Sequence, residues 1–250
     1  MADSVVTTVG APCWLDLLSS DPARSRAFYT QLFGWSVQEF GPEYQGYTLF
    51  SKDGHAVGGC MEAEPGAWGV YLASPDARAT AAAATAHGGA VVFEPMDIFD
   101  NGTMAVVSDP GGATIGVWQA GTEQGFGVLG EPDTPGWFEL FARDYGASVA
   151  FYRDVFGWDT HVAGDTADFR YTTLGEGDDA RAGIMDATAF LPDGVPAHWS
   201  VYFRVDDADA ALASTVELGG SVLRPAEDTP YGRLAQAADP LGTSFKLISG

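Results

Sequence analysis

Several things are scarce in this sequence, and each scarcity excludes something. Of 250 residues only Cys13 and Cys60 are cysteine. Two such residues give no disulfide framework and no zinc pattern, and are expected as reduced, buried thiols. Lysine and arginine number 12 against 34 aspartates and glutamates, a formal net charge of −22. So few basic residues argue against nucleic acid and against anionic membrane surfaces, since both demand a basic face. The acidic excess reads as a solubility device, with steering of a cationic ligand as the narrower alternative. No run of about 18 apolar residues occurs, so no transmembrane helix is expected. "MADSVVTTVG" has no basic stretch followed by an apolar one, so no secretory leader is expected and the expected location is the cytoplasm. There is no G-x-S-x-G and no Cys–His spacing that suggests a nucleophile. "DPGGA" and "HGGA" read as turns, since no GK[ST] and no strand–GxGxxG–helix context follows.

What the chain has instead is a repeat. "WLDLLSSD" (Trp14–Asp21) returns as "WFELFARD" (Trp137–Asp144), and "FYTQLFGW" (Phe28–Trp35) as "FYRDVFGW" (Phe151–Trp158). "WGVYLASPDA" matches "WSVYFRVDDA", "HGGAVVFEP" matches "LGGSVLRP", and "DPGGATIGVW" matches "DPLGTSFKLI", in the same order. Two domains at residues 10–120 and 135–250 explain this. Residues 121–134, rich in Gly and Pro with no apolar period, read as a linker.

Each copy contains two similar units. "CWLDLL" alternates and reads as a strand. Asp21 then stands as an N-cap with Pro22 at the first helical position. Phe28, Tyr29, Leu32 and Phe33 form one apolar helix face, and Gly34 stops the helix. Further strands follow at "YTLFS" and "AVGGCM". "WGVYLAS" then begins a second unit, with Asp76 capping the Ala-rich helix "ATAAAATA". The fold class is α+β, and the unit is βαβββ, present four times.

A βαβββ unit with "FY…LFGW" after its first strand and "DP.G" before its last, both written twice, resembles the vicinal oxygen chelate superfamily of glyoxalases, bleomycin-resistance proteins and extradiol dioxygenases. The resemblance spans nearly the whole chain. It implies two tandem glyoxalase-like domains, each pairing two βαβββ units into a U-shaped sheet cup. Similar tandem members are common in actinobacteria as glyoxalase-like proteins or hydroxylases. Catalytic members carry His, Gln or Glu at inward positions of the first and last strand of each unit. Carried over, those positions hold Trp14, Gly59, Gly69 and Gly116 in the first domain and Trp137, Gly183, Ser200 and Lys246 in the second. A catalytic divalent ion needs three or four converging N or O ligands, which these residues do not offer, so neither metal nor other cofactor is expected.

The cups hold something else. Strand alternation sets Asp16 beside Trp14 and Glu139 beside Trp137 on one face. An acid against apolar surface resists ionisation, so Asp16 and Glu139 are candidates for general acid or base; the alternative is a structural carboxylate bonded to backbone or to Arg143. Trp14, Tyr47, Trp68 and Tyr71 are candidates to line the first cup, and Trp137, Tyr171, Trp199 and Tyr202 the second. Each could equally be core. His198, Ser200 and Lys246 are polar handles of the second cup. Glycine at three positions predicts that the first cup is the roomier, with Lys246 filling the second where Gly116 leaves the first open.

Two functions fit. One is metal-independent binding of a small, mostly apolar, aromatic or polyketide-like metabolite, for sequestration or self-resistance. The other is a metal-independent isomerase, cyclase, lyase or hydroxylase acting on such a metabolite through Asp16 or Glu139. The expected partner is a small molecule, and the expected assembly is a monomer of two packed domains or a homodimer.

Overall fold

A computed structural model describes residues 8–250. The first seven, part of the stretch read above for a leader, lie outside the described residues. In the first half β1 (Pro12–Ser19) leads into α1 (Pro22–Phe33), followed by β2 (Ser36–Glu39), β3 (Thr48–Lys52) and β4 (His55–Glu62). The second unit is β5 (Ala67–Ala73), α2 (Ala77–Ala86), β6 (Ala90–Ile98), β7 (Gly102–Ser108) and β8 (Thr114–Ala120). The second half repeats the order with β9 (Thr134–Ala142), α3 (Tyr145–Phe156), β10 (Thr160–Asp165), β11 (Arg170–Leu174) and β12 (Ala182–Asp186). It ends with β13 (His198–Arg204), α4 (Ala208–Glu217), β14 (Ser221–Thr229), β15 (Gly232–Ala238) and β16 (Ser244–Ser249).

Each half makes one eight-stranded sheet, ordered β2-β3-β4-β1-β5-β8-β7-β6 and β10-β11-β12-β9-β13-β16-β15-β14. The two units of a domain join at the antiparallel pairs β1–β5 and β9–β13. The helix signals hold at atomic level. The Asp21 side chain accepts from the Arg24 amide and that of Asp144 from the Ala147 amide, while Gly34 and Gly157 end their helices in the left-handed conformation. No helix among the described residues is long and apolar enough to cross a membrane.

Along β1 the residues divide by parity. Leu15 and Leu17 are fully buried on the helix side, each worth about 1.5–3 kcal/mol of burial, while Trp14, Asp16 and Leu18 face the other way. The repeated "FY…FGW" motif does more than cover its own sheet. Phe28 meets Phe245 at 6.0 Å and Phe33 meets Phe203 at 4.9 Å, both in the second domain. The Trp35 indole donates to the Asp133 carbonyl at 2.7 Å, just ahead of β9. Reciprocally, Trp158 donates to the Gly10 carbonyl at 2.9 Å, just ahead of β1. Gly10 is required there, because a Cβ would lie 2.5 Å from the Phe156 carbonyl oxygen. Buried Asp109 of the first "DP.G" accepts a hydrogen bond from Ser148 on α3. The halves are thus clasped about an approximate two-fold relation.

The connector at 121–134 packs against both halves. The Phe126 amide donates to the Cys13 carbonyl, and its ring, 1% exposed, lies between Trp14 (5.9 Å) and Phe138 (5.8 Å). Cys13 and Cys60 are free and buried, and burial pushes the Cys60 thiol up to about 12.

Candidate functional site

On the face of the first sheet turned away from the helices, one rung of paired residues runs Phe93–Val106–Gly116–Tyr71–Trp14. The corresponding rung of the second sheet runs Arg224–Gln236–Lys246–Tyr202–Trp137. Beside these rungs, Asp16 pairs with Gly59 and Gly69, and Glu139 with Gly183 and Ser200. The register therefore brings each predicted acid beside its tryptophan and between the positions where the fold's metal users keep ligands.

In the first cup the acid is held by neutral donors. Tyr47 Oη donates to Asp16 Oδ1 at 2.7 Å, and Trp14 Nε1 lies 3.1 Å from the same oxygen and 2.9 Å from Tyr47 Oη. Burial raises the Asp16 carboxyl above its ordinary range, against the lowering effect of hydrogen bonds from Tyr47, Tyr71 and Trp14. The same burial, with Asp16 beside them, keeps Tyr47 and Tyr71 protonated far into the alkaline range.

The glycines do not leave the open space expected of them. A Cβ on Gly116 would collide with the Tyr71 ring, and one on Gly59 with the Tyr47 hydroxyl; Gly183 is likewise covered by Tyr171. Glycine at these places lets a tyrosine lie flat across the sheet. Aromatic rings thus cover the floor of the first cup at Gly59 and Gly116, while a Cβ on Gly69 would meet only the Asp16 carbonyl oxygen at 3.6 Å. Its walls are Leu18, Leu49, Met104 and Trp118, all half-buried.

In the second cup the acid is ion-paired. Tyr202 Oη donates to Glu139 Oε2 at 2.6 Å, Lys246 Nζ donates to Tyr202 Oη at 3.1 Å, and Nζ stands 3.6 Å from Glu139 Oε2. The ammonium also lies 3.5 Å over the Phe141 ring and 4.7 Å from the Tyr202 ring. Burial lowers Lys246 to about 8, with Glu139 opposing the shift and Arg224 adding to it. Trp137 donates to Tyr171 Oη at 2.9 Å, and Phe169 stacks on Tyr171 at 5.7 Å. His198 stacks on Phe141 at 5.4 Å with its Nδ1 3.0 Å from the Pro196 carbonyl, and half-buried Ser200 completes this wall.

Two predicted lining residues lie elsewhere. Trp68 and Trp199 are on the helix side, donating to Tyr29 Oη at 3.1 Å and Tyr152 Oη at 2.8 Å. Each stands three residues before a cup tyrosine, and three steps along a strand reverse the face. Neither acid bonds to Arg143, whose guanidinium serves the Val195 and Pro192 carbonyls. Sequence reasoning missed Phe141, Gln236 and Arg224, although their pairing with recognised cup positions followed from strand parity. It also missed an apolar crevice of about 310 Å³ at the domain junction, lined by Ala11, Pro12, Phe126, Leu129, Pro135 and Trp137, with Arg181 at its edge.

The donor chemistry does not fit a catalytic divalent ion. In the first cup only Asp16 offers a hard ligand, and its Oδ1 is already taken by Tyr47 and Trp14. In the second, the Lys246 ammonium stands against the one carboxylate. Among the described residues, no three His, Cys, Asp or Glu side chains converge as a metal group would require.

Known proteins share this arrangement. Residues 13–117 and 134–247 each match the Glyoxalase/Bleomycin resistance protein/Dioxygenase superfamily. The chain is 38% identical over 261 residues to the anthracycline biosynthesis protein DnrV of Streptomyces peucetius, covering 96% of this chain and 93% of that one. It is 36% identical over 271 residues to the anthracycline biosynthesis protein DauV of Streptomyces sp. (strain C5), with the same coverage. The solved Mn(II)-bound glyoxalase from Novosphingobium aromaticivorans superposes with a TM-score of 0.66 at 18% identity, over 98% of this chain and 83% of that one; this is a likeness of fold. With both halves matched and the βαβββ order seen in each, the chain belongs to the Glyoxalase/Bleomycin resistance protein/Dioxygenase superfamily as a tandem member and is related to anthracycline biosynthesis proteins.

Proposed function

We propose that the protein binds a planar, mostly apolar metabolite of aromatic or polyketide-like type on its cup faces, without a metal ion, to sequester it or to confer resistance. One observation carries the reading. At the positions where metal-using members of this fold need several N or O ligands, the cups present tryptophan and glycine, with Ser200 and Lys246 in the second, around a single acid flanked by tyrosines. Flat aromatic surface with few, placed polar groups suits a flat ring system. The relatives named for anthracycline biosynthesis support the same class of metabolite.

The test is tryptophan fluorescence and titration calorimetry with a panel of anthraquinones and related polycyclic phenols, before and after dialysis against EDTA. Saturable binding unchanged by EDTA is expected. Silence across the panel, or binding that disappears with EDTA and returns with Mn²⁺, overturns the reading.

A second reading is metal-independent turnover of the same ligand, with Asp16 or Glu139 as general acid or base. It is favoured by Lys246, whose amine titrates near 8 beside Tyr202 and Glu139. Turnover that survives EDTA and collapses in Asp16→Asn or Glu139→Gln supports it. Unchanged turnover in both variants removes those roles.

A further inference from the structure

The second cup differs from the first along one rung, where apolar residues and glycine give way to two cations and an amide. Phe93 is replaced by Arg224, Val106 by Gln236 and Gly116 by Lys246, while Tyr71 and Trp14 keep their kind as Tyr202 and Trp137. Gly69 beside the acid becomes Ser200. Three adjacent strands thus carry Arg, Gln and Lys on one face. Strand neighbours lie about 4.8 Å apart, so two long cationic arms flank an amide within reach of one small group. In a chain with 12 basic residues against 34 acidic ones, this concentration stands out.

Among the described residues, of the two cations on the rung Lys246 is paired and Arg224 is not. Glu139 is satisfied by Lys246 and Tyr202. Exposed Arg224 forms no ion pair among the described residues. The nearest acid on its own strand, Glu227, stands one rung further along, opposite Leu234. Phe141 and Tyr171 lie beside the rung, both largely buried under Lys246, His198 and Phe169.

We propose that the second cup is the anion-accepting one: it takes a planar aromatic molecule bearing an oxyanion, a carboxylate or an ionised phenol or enol, with the rings on its aromatic wall and the charge toward Arg224, Gln236 and Lys246. The first cup, with Phe93, Val106 and Gly116 on that rung, accepts only neutral ligands. This rests on the reading that the cups bind planar metabolites and adds charge selection and a choice of cup.

The experiment compares anthraquinone-2-carboxylate with anthraquinone-2-carboxamide by calorimetry, and 1,2-dihydroxyanthraquinone with anthraquinone for the phenolate form. The native protein is expected to bind each anion at least tenfold tighter than its neutral partner. Sodium chloride should weaken the anions alone. Arg224→Phe, which installs the first cup's residue at an exposed position, should remove most of the preference of anion over neutral partner. Lys246→Met should reduce the preference further, with far-UV circular dichroism confirming the fold. Equal affinities in the native protein, or a preference indifferent to both substitutions and to salt, overturn the charge reading while the planar-ligand reading stands. Binding of no probe removes both.

Discussion

The two cups set an acid beside a tryptophan and two tyrosines, yet place it in different electrical company. In the first, Gly116 lets the Tyr71 ring lie on the sheet, and Asp16 is left with the neutral donors Tyr47 and Trp14. In the second, Lys246 occupies that position and forms an ion pair with Glu139, bridged by Tyr202. One glycine-to-lysine difference thus separates an acid that resists ionisation from one locked to a counter-charge. The scaffold fixes where the acid stands, and its neighbour across the sheet decides its partners.

The largest test of that contrast is Glu139→Gln. It leaves the Lys246 ammonium buried without a counter-charge and should cost about 3 kcal/mol of stability by urea unfolding. The double variant with Lys246→Met should recover most of the loss, and a failure to recover would mean the pair is not coupled. Next comes pH. Lys246 loses its proton near 8 when folded but near 10.4 when unfolded. Between those values the unfolded chain binds more protons, so native stability should rise with pH from about 8 to 10, by roughly 2 kcal/mol. Lys246→Met should abolish that rise, and a variant that kept it would assign it to another group.

Smaller effects probe the shared scaffold. Trp35→Phe and Trp158→Phe each orphan a carbonyl just ahead of the other half's first strand and should cost about 1 kcal/mol apiece, nearly equally. Markedly unequal losses would break the approximate two-fold relation. The smallest effect has the opposite sign. Asp16→Asn keeps an oxygen for Tyr47 and Trp14 but removes a buried charge, so it should raise stability by up to about 1 kcal/mol at pH 7. Because the folded Asp16 holds its proton longer than the unfolded one, native stability falls as pH rises through that interval. The gain from asparagine should therefore vanish in acid, where Asp16 is itself neutral.

Much of this was legible in the residues. The repeat, the capped helices and the strand parity of Trp14 with Asp16 and of Trp137 with Glu139 follow from local chemistry. The placing of Trp68 and Trp199 was legible too and was misread, since each stands at odd spacing from its cup tyrosine. Other features depend on what approaches from elsewhere. That Tyr71 fills the space over Gly116 depends on register and side-chain direction, not on the glycine. That Trp35 reaches Asp133 depends on how the domains pack. Phe126 carried a signal, an aromatic amid glycines, but its partners lie on β1 and β9, far along the chain.

The reciprocal clasp and the cups lie on opposite sides of the same strands. Leu15, Leu17, Trp68 and Trp199 are buried on the helix side, where Trp68 meets Phe203 of the other half at 5.2 Å, while Trp14, Asp16, Tyr71 and their counterparts point the other way. Strand parity thus separates most of the buried packing from the cup chemistry, with Trp14 and Trp137 the exceptions that also border the junction. A duplicated chain built this way can rewrite the chemistry of one cup, rung by rung, while its union with the other half is undisturbed. The turn from Phe93, Val106 and Gly116 to Arg224, Gln236 and Lys246 is a record of that freedom being used.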